Sequence, residues 1–172
     1  KTAPLVGIKG GHQHGGTGEW AARFLYYASL LALTGWLFWN MFAAPVDETA
    51  RKASGYWLRC LKFFYLFMLL GTGFIQISGM LGENGFSSLG ALLFRTVFGQ
   101  TWLFSVLLAL IGYFLLGRSK WFDCVWGFLL LAGEGLNGHA FTFQPRVLAV
   151  AFDLLHLLAA AIWCGGLLHI LV

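Results

Sequence analysis

Five long apolar runs alternate with short polar breaks along this chain: approximately Trp20 to Phe42, Leu61 to Leu81, Thr101 to Leu116, Phe122 to Phe141 and Val147 to Val172. A helix needs about 20 apolar residues to cross a hydrocarbon core of roughly 30 Å, because backbone polar groups in lipid must be satisfied within their own element. The runs are of that order. The third is the shortest, and Trp102 and Trp121 flank it where indole rings anchor at the interface. The pattern predicts an all-α fold, a polytopic integral membrane helical bundle of about five transmembrane helices that forms part of a larger bundle. Between the second and third runs, FSSLGALLFRTVFG is too short to cross and carries Arg95, yet its apolar residues recur at helical spacing. It is predicted as one short interfacial helix. Pro45 with DETARK, then GENG, GRSK and FTFQPR, break the chain between runs.

Composition sharpens this picture. Of 172 residues, 59% are hydrophobic and 10% charged, and the mean hydropathy is +0.75, which excludes a soluble domain. The formal charge of +4 is not a nucleic-acid footprint, since the basic residues form no stripe. They sort by side instead: Arg51, Lys52, Arg59, Lys62, Arg118 and Lys120 fall on one side, Arg95 and Arg146 on the other. The first side is expected to be cytoplasmic, with the N-terminal tail outside. Residues 1–18 read as a flexible His-Gly tail and 19–172 as the transmembrane domain. A start at Lys1 and an end inside an apolar run suggest a piece of a longer protein. Cys60, Cys124 and Cys164 are far apart and show neither ligand nor disulfide spacing.

Ionisable groups inside a bilayer are costly, so each invites a functional reading. The last two runs hold most of them: Glu134, Asn137 and His139 in GEGLNGHA, then Asp153, His156 and His169. Asp153 and His156 are three apart, one helical face, about 4.5 Å along the axis. Glu134 lies at a similar depth on an antiparallel neighbour, so the three could meet, with His139 nearer the outer surface. Such a cluster suits a metal ion or a shared proton, and it equally suits a structural role in which each group satisfies another. Glycines 133, 135, 138, 165 and 166 allow close helix approach around it. Met80 is a candidate soft ligand, although Met80 and Met68 also suit plain packing. His169 is rotated by about 140° from His156 and is expected to stand apart. In the tail, His12 and His14 form an HxH pair able to hold a borderline metal, a weak pattern.

The stretches RFLYY, LFRTVFGQTWLFSVLLAL, LNGHAFTF and DLLHLLAAAIWCGGL resemble the copper resistance protein D family, including forms fused behind a periplasmic copper-binding domain. The resemblance matches His139, Asp153, His156, Trp163, Gly165 and Gly166 to that family's pattern. It implies copper transport or handling, as Cu(I) or Cu(II), at the bacterial inner membrane. It also implies further helices and a periplasmic copper-binding partner or fused domain. No P-loop is present, so the reading is a non-enzymatic carrier, with Glu134 and Asp153 as candidate proton carriers. Two other readings stand beside it. One is a b-type cytochrome whose haem is held by His139 and His156. The other is a membrane anchor for a cuproenzyme.

Overall fold

The computed structural model describes residues 17–43, 47–81, 89–137 and 146–171, and the regular structure among them is helical throughout. The helices are α1 (Thr17–Phe42), α2 (Glu48–Leu81), α3 (Leu89–Arg95), α4 (Val97–Leu115), α5 (Lys120–Asn137) and α6 (Arg146–Leu171). Helices α1, α2, α4 and α6 are long and apolar enough to cross a membrane. The fourth expected span, α5, falls short of that measure because Lys120, Asp123 and Glu134 sit among its 18 residues. It is nonetheless packed inside the bundle, with Asp123, Trp126, Leu130 and Leu131 buried.

Two boundaries differ from the sequence expectation. DETARK is not a loop. Asp47 accepts the Ala50 amide at 2.7 Å and Lys52 pairs with Glu48, so the cap starts α2 thirteen residues before the apolar run. At about 51 Å for its 34 residues, α2 is longer than the hydrocarbon core, and its basic first turns carry Arg51, Lys52, Arg59 and Lys62. The expected single interfacial helix is instead α3 and the start of α4. Thr96 is extended, its hydroxyl accepts the Gly99 amide at 3.0 Å, and this cap begins a new helix directly after Arg95.

Helix α1 is the centre. Asn40 accepts from Ser54 and Tyr26 stacks on Tyr65, which makes α2 its antiparallel neighbour. Phe38 reaches Gly127 while Tyr26 reaches Glu134, so α5 is antiparallel as well. Helix α4 closes the ring between α2 and α5. Lys62 donates to the Tyr113 carbonyl, and Trp102 and Trp126 donate to the carbonyls of Leu69 and Leu108, with each indole over a glycine, Gly73 and Gly112. Helix α6 runs parallel to α1 from outside this ring. Gly35 meets Ala161 and Gly165 backbone to backbone, and Trp39 donates to the Ile162 carbonyl at 2.6 Å. The rest of α6 is exposed or half-buried.

The α4–α5 turn depends on one carboxylate. Gly117 takes φ +91°, a conformation that disfavours other residues, and its amide donates to Asp123 at 3.0 Å. Changing Asp123 to Ala is expected to cost about 1–2 kcal/mol, the size of one hydrogen bond to a charged group, because it removes the acceptor that holds the turn. The melting temperature in detergent should then fall by about 3–6 °C. A melt equal to that of the wild type would show that the turn holds without the bond.

Candidate functional site

Polar groups gather at the end of the bundle where α1 begins, away from the basic turns of α2. Glu134 projects from α5 into a chamber of about 110 Å³ lined by Arg23, Tyr26, Tyr27, Thr72, Gln76, Trp102, Ser105 and Glu134 itself, with Leu69 and Gly73. Tyr26 donates its hydroxyl to Glu134 at 2.8 Å. Tyr27 faces the same carboxylate, and Tyr65 backs Tyr26 with stacked rings at 6.1 Å. At the rim, Arg23 is ion-paired with Glu19 at 2.7 Å.

The helix register explains the convergence. Tyr26 and Tyr27 lie two to three turns into α1, Thr72 and Gln76 are one turn apart on α2, and Ser105 is two turns into α4. Trp102, over Gly73, spaces α4 from α2, and Phe104 lies against Gly133. Glu134, the next residue, enters the chamber.

The expected His and carboxylate cluster is only partly assembled. Asp153 on α6 lies against α5, its Oδ2 3.6 Å from where a side-chain carbon on Gly135 would stand. Glu134 and Asp153 therefore lie at one level. His156 is exposed on α6 and makes no ion pair with Asp153 among the described residues. Met80 is exposed near the end of α2. His139, His12 and His14 lie outside the described residues, as does the side chain of Asn137. Among the described residues no three His, Cys, Asp or Glu side chains converge as a metal site.

Sequence reasoning missed the tyrosines, Gln76 and Ser105, which nothing singled out from their apolar surroundings. It also set His169 aside. That ring stacks on Trp36 at 4.2 Å between α6 and α1, with its Nε2 buried and without a partner among the described residues.

The family model for the copper resistance protein D-like N-terminal domain matches residues 17–144. Among curated proteins, the chain is similar to inner membrane protein YebZ of Escherichia coli (strain K12), 28% identical over 167 residues. That match covers 88% of this chain and 56% of the relative. The chain thus spans little more than half the length of that relative. No solved structure matches it.

Proposed function

This chain belongs to the copper resistance protein D-like family, and on that premise we propose that it handles copper ions, moving them across or along a bacterial inner membrane. The observation that carries the reading is the family match over residues 17–144, and it is supported by Asp153 standing against Gly135 of α5 near where α6 starts, with His156 one turn further along. In this reading His12 and His14 capture copper outside, and His139, Asp153 and His156 hold it in passage. Imidazole nitrogen suits copper in either oxidation state, and a carboxylate offsets the ion's charge in a medium where an uncompensated charge is costly. Glu134, bonded to Tyr26 in the chamber, serves charge balance rather than ligation. The protein acts as a carrier, not an enzyme, and a periplasmic copper-binding protein or fused domain delivers its cargo.

The basic first turns of α2 and the α4–α5 turn with Arg118 and Lys120 lie at one end of the bundle. This supports a cytoplasmic placement of that end and an outward placement of the chamber.

The test is metal analysis with an absorption spectrum on the full-length protein in detergent, beside cellular copper content. His156→Ala and His139→Ala should each lower bound copper by about tenfold or more, the scale of a lost ligand interaction, and reduce cellular copper accumulation. Unchanged copper in both variants would remove the reading. A Soret band lost in the same variants would replace it with haem ligation.

A further inference from the structure

The chamber between α1, α2, α4 and α5 holds chemistry that copper ligation does not use. At about 110 Å³ it has room for three to four water-sized groups at roughly 30 Å³ each. Its free polar lining is oxygen: the Glu134 carboxylate, the Tyr26 and Tyr27 hydroxyls, Thr72, Ser105 and the Gln76 amide. The Trp102 indole N–H is already committed to the Leu69 carbonyl. Thr72 donates to the Met68 carbonyl and so keeps its oxygen lone pairs. Ser105 is only 7% exposed, lines the chamber, and makes no hydrogen bond among the described residues. That hydroxyl is free to meet a ligand atom inside the chamber.

Charge points the same way. The one cation on the lining, Arg23, is neutralised by Glu19 at the rim. Glu134 thus brings its carboxyl group into the chamber with no basic partner of its own among the described residues, and Asp153 adds a second carboxyl beyond Gly135. An anion in such surroundings is costly without a countercharge. The lining contains neither imidazole nor sulfur, which Cu(I) prefers, whereas carboxylate, hydroxyl and amide oxygens suit hard cations. A single carboxylate opening into the chamber matches a single positive charge.

We propose that this chamber binds a hydrated alkali cation, with sodium as the test ion, held by Glu134, Ser105, Thr72 and Gln76, and that this ion couples copper movement to an ion gradient. The coupling rests on the copper reading, while the binding does not.

Sodium-22 binding to the full-length protein in detergent tests the site, with copper content measured on the same samples. The wild type should bind one sodium saturably. Glu134→Gln should weaken that binding by about tenfold or more, as expected when a charge-assisted contact is removed. Ser105→Ala should weaken it by about fivefold, the size of one neutral contact, and leave bound copper unchanged. His156→Ala should keep sodium binding while losing copper, so the two readings fail separately. Absence of saturable sodium binding in the wild type would overturn the proposal, as would equal binding by the wild type and both chamber variants. A chamber that takes protons alone gives the first of these results.

Discussion

Alanine at Gly35 or at Gly165 should loosen α6 from the bundle and lower the melting temperature in detergent by about 5 °C or more. A β-carbon on Gly35 would run into the Ala161 carbonyl and the Gly165 amide, and one on Gly165 would run into the Gly35 backbone. The obstructing atoms are main chain on both sides, so no side-chain rotation can make room. Overpacking of this kind costs about 1–3 kcal/mol, and for a chain of this size 1 kcal/mol is worth about 2–4 °C. The seam also holds the Trp39 bond to Ile162 and the His169 ring on Trp36, which separate when the helices do. Asp153 and His156 ride on α6, so under the proposed copper reading the same variants should also weaken copper binding. Gly71→Ala is the control, since nothing lies within 4 Å of a β-carbon there. Helix propensity should then leave its melt unchanged or slightly raised. If Gly35→Ala melts like Gly71→Ala, the tight α1–α6 contact does not hold the bundle.

The sequence marked Gly165 as a place of close helix approach but not Gly35 on α1 as what it meets, and the reason is physical. In water an amphipathic stripe tells which face of a helix is buried. In lipid the surroundings are as apolar as the core, so α1 and α6, the most and the least buried of the four long apolar helices, read alike as apolar runs. What could be read were the runs themselves, the breaks between them, and the charged groups that do not belong in hydrocarbon. Glu134 and Asp153 were picked out on that ground and do lie at one level. The same logic had no purchase on Tyr26, an amphipathic ring in an apolar helix, although it bonds Glu134 from 108 positions away. His169 was set aside on its angular distance from His156, which measured its place on α6 and not what α1 would bring against it. Asp47 and Thr96 were visible as residues, but a hydropathy pattern gives no weight to a cap, so two helix starts were displaced.

Tyr26→Phe should destabilise the protein by about 1–3 kcal/mol, the cost of leaving a half-buried carboxyl short of a partner. The ring is kept, so its stacking on Tyr65 survives and the loss reports the hydroxyl alone. Without that hydroxyl, the Glu134 carboxylate retains Tyr27 and the chamber as its surroundings. Glu134→Gln changes the problem, because a neutral amide of the same shape still accepts from Tyr26 and demands less compensation. In that background Tyr26→Phe should cost only about 1 kcal/mol, as for a neutral hydrogen bond. The two variants should therefore be non-additive by about 0.5–2 kcal/mol, a coupling expected only for groups in direct contact. Four thermal melts, one per corner of the cycle, decide the matter. Equal costs for Tyr26→Phe in both backgrounds would mean that the bond carries no charge assistance. Glu134 would then need no countercharge, and the electrostatic reason for a cation in the chamber would go with it.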